Sequence, residues 1–221
     1  MVESAIASYE SRYFSAILYG TNHPFGWYPE IEGIESITAD DIKVFHATYY
    51  HPNNIMLSIT GDFNTEKLVA QLEKVFAGWE KADVNFHDVP KIDGPVKPSV
   101  NYIFKDFNQT TIFMGHFGIQ RAPDLSDYFS VIVMNEILGA SGFTSRLMRE
   151  VRDQRGLAYS VGSFMDTSRY TNPGRWIAYS QTRADKTAEA MALILELIKD
   201  IREHPVPADE LQLIKDSFIN S

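Results

Sequence analysis

The sequence predicts an α/β protein of two domains, in which helices pack on sheets. Three observations carry this expectation. Apolar residues recur at helical spacing in several stretches, short apolar or alternating runs lie between them, and one aperiodic stretch containing Pro90, Pro95 and Pro98 divides the chain. Its 221 residues are enough for one large or two ordinary domains, and a 44% apolar share is enough for real cores.

A formal charge of −9 argues against nucleic acid and anionic membranes as partners, since both select basic faces. Without cysteine, disulfides and thiolate metal sites are excluded. The compartment stays open, cytoplasm and periplasm both being compatible. No apolar run reaches the roughly 18 residues of a membrane helix, and the opening residues lack the pattern of a secretion signal. A soluble protein with no membrane span is expected.

The elements follow in chain order. Val2 to Leu18 is helix-like, although no capping residue precedes it. Tyr19 to Gly26 (YGTNHPFG) is a loop, which makes His23 a loop histidine before a proline. Thr38-Ala39-Asp40-Asp41 reads as a capping-box start, and that helix runs to about Tyr50, where His51-Pro52 forbids continuation. Asn54 to Gly61 is a short apolar strand. Asn64 or Thr65 caps the next helix, which carries Leu68, Leu72, Val75, Phe76 and Trp79 at helical spacing. Residues 80–98 form a linker, leaving 1–79 and 99–221 as the two domains.

In the second domain, Val100 to Phe107 and Thr110 to Ile119 read as strands, and Asp124 to Leu138 as a helix. Gly139 and Gly142 follow in a small-residue loop, where flexibility is their expected use. Thr144 or Ser145 caps a helix whose core side holds Thr144, Leu147, Met148 and Val151. Gly156 ends it, and Leu157 to Met165 alternates as a strand with Tyr159 and Val161 on one face. A strand through Trp176 to Gln181, an amphipathic helix from Ala184 to Glu203 with Met191, Leu195 and Ile198 on its apolar face, and a helix from Pro207 to Phe218 complete the chain.

On the helix before Gly156, Arg146 has Glu150 four residues on and Arg149 has Asp153, both of which read as surface pairs. Arg152 has no carboxylate three or four residues away on either side, and it falls at the edge of the apolar stripe. Two readings fit. Arg152 is a solvated arginine beside a half-buried packing Tyr159, or the two bring a fork of donors and a phenol to one small site.

The stretch LGASGFTSRLMREVRDQRGLAYSV, Leu138 to Val161, resembles the signature of the second domain in the pitrilysin and insulinase clan of zinc metallopeptidases. Members share the small-residue loop, the Ser-Arg-Leu helix start, and an Arg and a Tyr seven residues apart around a Gly turn. Residues 19–26 and the run ITADDIKVFHATYYHPNNIMLSITGDF at 37–63 resemble the clan's first domain. The resemblance implies two related domains of the α+β sandwich type, with 1–79 the C-terminal part of the first, incomplete at its start, and 99–221 most of the second. It implies that Arg152 and Tyr159 are catalytic residues, holding a peptide substrate opposite a zinc site in the first domain.

The clan's zinc motif, His-x-x-Glu-His, occurs nowhere in the chain. The six histidines stand at 23, 46, 51, 87, 116 and 204, with no pair three or four apart. A third-ligand Glu is expected upstream of residue 1, so Glu3 and Glu10 are poor matches. There is also no Gly-x-Ser-x-Gly and no phosphate-binding glycine loop. The expectation is therefore the substrate-binding half of a peptide hydrolase, inactive alone, with zinc supplied by a missing N-terminal region or a partner subunit. The alternative is a non-catalytic binding or scaffold subunit of a larger complex. Uncovered apolar surface at Ile17, Leu57 and Phe76 leads one to expect self-association.

Overall fold

A computed structural model describes residues 9–92, 96–120, 127–167 and 172–220. The opening residues of the helix expected from Val2, and Asp124 at the head of another, lie outside these ranges. The chain forms two compact units, one from the segment up to Trp27 together with Pro90 onward, the other from Tyr28–Val89.

Helix α1, Tyr9–Tyr19, belongs to the larger unit and leads into the short turn Pro24–Gly26. The smaller unit holds α2, Ile31–Glu35, α3, Ala39–Tyr49, and α4, Thr65–Phe76. The expected capping box is present at α3: the Thr38 amide donates to Asp41 Oδ2 at 2.8 Å and the Asp41 amide donates to Thr38 Oγ1 at 3.3 Å. Hydrogen bonds from Thr38 hold the Asp41 carboxyl below its ordinary value. Asn64, rather than Thr65, caps α4 by accepting the Lys67 amide at 3.0 Å. That helix stops at Phe76, and the Trp79 amide closes a turn back to it at 3.0 Å.

The strand expected from Asn54 to Gly61 is not formed. Pro52–Asn54 makes a single tight turn, Ile55 follows in an extended conformation, and Met56 is 95% exposed. Extended apolar sequence becomes a strand only beside another strand, and the smaller unit has none among its described residues.

The larger unit is built on an antiparallel sheet of β1, Gln109–Phe117, β2, Ala158–Met165, and β3, Arg175–Arg183, in the order β1-β3-β2. Central β3 buries Trp176, Ile177 and Ala178. Helix α5, Tyr128–Asn135, continues into a π-helical segment, Glu136–Ala140, and a second π-helical segment spans Met148–Gln154. After a short turn at Ala184–Lys186 come α6, Thr187–Glu203, and α7, Ala208–Asn220. Leu138, Leu147, Val151, Val161, Ala190 and Ile194 form the heart of the core between sheet and helices.

Two expectations fail here. Val100 to Phe107 makes no strand, and Val100 and Tyr102 stand 89% and 81% exposed, again without a neighbouring strand. On α6 the buried stripe is Ala190, Leu193 and Ile194, so Met191 and Ile198 sit at its edges and Leu195 faces out. Ile17, Leu57 and Phe76 are all exposed.

Candidate functional site

The segment that carries Arg152 begins at Ser145, which is fully buried. Its Oγ accepts the Met148 amide at 3.4 Å and donates to the Gly142 carbonyl at 2.7 Å, so Ser145 rather than Thr144 is the cap. Leu147 and Val151 are fully buried and Met148 is half-buried, whereas Thr144 is exposed rather than on the core side. From Met148 the helix widens to π geometry, which rotates successive side chains away from the four-residue neighbour pattern.

The charges therefore pair differently from the surface pattern. Arg146 turns inward to Glu210 and Asp200, not to Glu150, with its guanidinium held charged by the Glu210 hydrogen bonds. Arg149 Nε bonds its immediate neighbour Glu150 at 3.0 Å, not Asp153. Gly139 also departs from its expected use. It is buried in a π-helical segment, where an added Cβ would overlap the Ser163 amide nitrogen and lie 2.8 Å from Leu147 Cδ1. Close packing, not loop flexibility, requires it. Gly142, at φ +63°, serves the turn.

Arg152 has no strong ion pair. Its Nη1 lies 3.8 Å from Asp153 Oδ1 and 3.8 Å from Met148 Sδ, and Cζ sits over the Phe143 ring, 5.2 Å from its centre. Asp153, the adjacent residue, thus offers a carboxylate that the three- and four-residue spacing rule passes over. The helix ends as expected at Gly156, φ +60°, where the Gly156 amide donates to the Arg152 carbonyl at 2.9 Å.

Strand β2 opens with a bulge. Ala158 pairs with Thr182 and Ser160 with Gln181, which leaves Tyr159 as the extra residue. The bulge restarts the alternation, so Tyr159 is 77% exposed while Val161 is buried, instead of both sharing one face. Among the described residues the Tyr159 hydroxyl has no hydrogen-bond partner. Arg152 and Tyr159 thus stand at the two ends of one glycine turn, and no hydrogen bond joins their side chains.

His23 is not a free ligand. It is buried, its Nδ1 accepts the Phe25 amide at 3.1 Å, and its Nε2 lies 3.0 Å from the Pro90 carbonyl. Asn172, 1% exposed, completes this clamp by donating to Pro90 O at 2.8 Å and accepting the Ile92 amide at 2.9 Å. Sequence reasoning passed over Asn172 and Phe143, since neither carries a spacing signal. No three His, Asp or Glu side chains gather as a metal site among the described residues, so these residues do not fit a zinc ion.

Residues 36–218 match the peptidase M16 inactive domain. The chain belongs to that family. It is 30% identical over 180 residues to an uncharacterized zinc protease of Rickettsia bellii, covering 81% of this chain and 41% of that protein. It is 28% identical over 196 residues to a non-peptidase homolog, YmxG, of Helicobacter pylori, covering 86% and 43%. The crystal structure of a peptidase M16 inactive domain from Pseudomonas fluorescens superposes with a TM-score of 0.83 at 29% identity, covering 95% of this chain and 50% of that one. The chain spans about half the length of these proteins. No helix among the described residues is long and apolar enough to cross a membrane.

Proposed function

We propose that this M16-family chain supplies the substrate-binding half of a zinc-dependent peptide hydrolase. Residues 1–79 are read as the end of a first metallopeptidase-like domain, 80–98 as a linker and 99–221 as the second domain. The observation that carries the reading is the placement of Arg152 and Tyr159 at the two ends of the Gly156 turn. Arg152 meets a carboxylate only at a long 3.8 Å, that of the adjacent Asp153, and the Tyr159 hydroxyl, on a bulge, has no partner among the described residues. Both keep donors in hand for a peptide carbonyl oxygen and for the charge that develops on it. Zinc belongs to a His-x-x-Glu-His region or partner subunit outside this chain, and the chain alone is inactive.

The test uses the protein together with its zinc-bearing region. Arg152→Ala and Tyr159→Phe are each expected to lower turnover of a quenched peptide by roughly 10²–10³-fold, as for removal of one transition-state donor. Arg149→Ala is the control, being occupied by Glu150. Equal rates for Arg149→Ala and Arg152→Ala would overturn the assignment.

A second reading, a non-catalytic binding or scaffold subunit, is favoured by the similarity to the Helicobacter pylori non-peptidase homolog. Metal analysis of the intact protein separates the two: stoichiometric zinc supports the hydrolase, and its absence supports the scaffold. Self-association through the exposed apolar residues Ile17, Leu57 and Phe76 is part of the same proposal. Light scattering is expected to show a mass that rises with concentration; a strict monomer throughout would refute it.

A further inference from the structure

Phe143 sits on the turn that leads into the segment carrying Arg152. It is a large aromatic side chain, 71% exposed, on a short turn whose backbone is otherwise tightly specified. Gly142 takes φ +63°, Thr144 Oγ1 lies 3.0 Å from Ser141 Oγ, and Ser145 Oγ donates to the Gly142 carbonyl at 2.7 Å. Small and polar residues thus fix the loop, and the ring adds nothing to the core. What the ring does meet is Arg152, whose Cζ lies over its face 5.2 Å from the centre.

We propose that Phe143 is a positioning residue for Arg152, a platform that holds the guanidinium beside the Gly156 turn while leaving Nε and Nη2 without a partner among the described residues. The chemistry favours a ring over a carboxylate for this task. A carboxylate partner occupies the in-plane N–H edges of a guanidinium, whereas an aromatic face engages the flat side and leaves those edges for an incoming oxygen. The other neighbours cannot substitute. Asp153 and Met148 both stand 3.8 Å from Nη1, too far for a strong bond, and the Arg152 side chain is one-third exposed. Without the ring, a long flexible side chain would sample many rotamers, and each productive contact would cost that freedom.

The inference rests on the role given to Arg152 above, and its test is built to fail separately. In the 221-residue chain, the Arg152 side-chain protons are followed by NMR in the wild type, Phe143→Leu and Phe143→Tyr. The ring-current shift is expected to vanish in Phe143→Leu and persist in Phe143→Tyr, with all three proteins melting alike because the ring is exposed. In the protein carrying its zinc-bearing region, Phe143→Leu is expected to lower kcat/KM about two- to fivefold, the size an exposed cation–π contact supplies. Phe143→Tyr should restore it, and Phe143→Leu should cost nothing further in an Arg152→Ala background. Unchanged Arg152 resonances in Phe143→Leu, or an equal rate loss with and without Arg152, would overturn the inference. Full activity in Arg152→Ala would instead sink the functional reading, and the NMR comparison would still decide whether Phe143 holds the guanidinium.

Discussion

Arg146 and Glu210 form a two-pronged ion pair, with Nε 3.0 Å from Oε1 and Nη2 2.6 Å from Oε2. Asp200 takes the remaining edge, accepting from Nη1 at 2.9 Å. One guanidinium thereby ties the segment leading to Arg152 to the last turn of α6 and the first turn of α7. Its side chain is only 9% exposed, which separates it from the other arginines of this segment.

Arg146→Ala would leave Glu210 and Asp200 facing each other without their cation. The expected loss of stability is about 3 kcal/mol, the lower end for breaking a buried pair, because Asp200 keeps solvent contact. Arg149→Ala, by contrast, removes a pair with an exposed arginine and should cost less than about 1 kcal/mol. Urea midpoints of the two variants make the comparison; equal midpoints would show that Arg146 has no special structural weight.

The local signals in the sequence were the readable ones. Thr38 and Asp41 form the expected capping box, Gly156 ends its helix with positive φ, and the mixed helix-and-sheet architecture is present. What could not be read depends on partners distant in sequence. The apolar runs at 54–61 and 100–107 have strand composition, but strand pairing is a property of two segments. Arg146 looked like half of a surface pair because Glu210, 64 residues on, has no local signature. At the proposed site, the Arg152 and Tyr159 positions were picked out from the family-like spacing. The bulge that exposes Tyr159 was not, since one extra residue in a pairing register leaves alternation in the sequence untouched.

Gly139 and Gly142 separate packing from conformation. A methyl group at Gly139 would overlap the Ser163 backbone and press on Leu147, so Gly139→Ala is expected to lose about 3 kcal/mol, at the upper end for overpacking. At Gly142 no atom lies within 4 Å of the added carbon, and Gly142→Ala should cost only the left-handed backbone penalty of about 1–2 kcal/mol. Thermal unfolding of both variants tests the order. A Gly139→Ala protein as stable as Gly142→Ala would mean that the two segments separate readily.

Glu136 gives the fold a pH dependence. Burial raises its carboxyl above the ordinary value of 4.5. Between that value and the raised one the folded chain keeps a proton the unfolded chain has lost, so this group's contribution falls as pH rises through the window. Glu136→Gln removes the charge that burial disfavours. The variant is expected to show a higher urea midpoint than the wild type at pH 7, with the two curves meeting below about pH 4. A lower midpoint at pH 7 would reveal a stabilising role for the ionised carboxylate.

The bulge at Tyr159 allows structure and function to be separated with one oxygen atom. Its hydroxyl has no partner among the described residues and its side chain is largely in solvent, so Tyr159→Phe should shift stability by no more than about 0.5 kcal/mol. Arg152→Ala loses the Phe143 face and two long contacts, and should cost less than about 1 kcal/mol. If both side chains are kept for a peptide carbonyl, the same substitutions act on turnover at a scale of roughly 3–4 kcal/mol in the barrier. The two scales differ enough to be told apart in one set of proteins. Melting curves of the isolated chain should overlay for wild type, Tyr159→Phe and Arg152→Ala, while peptide turnover with the zinc-bearing region present falls steeply for both variants. A Tyr159→Phe protein that melts several degrees early would show that the hydroxyl serves the fold, and its assignment to substrate would have to be withdrawn.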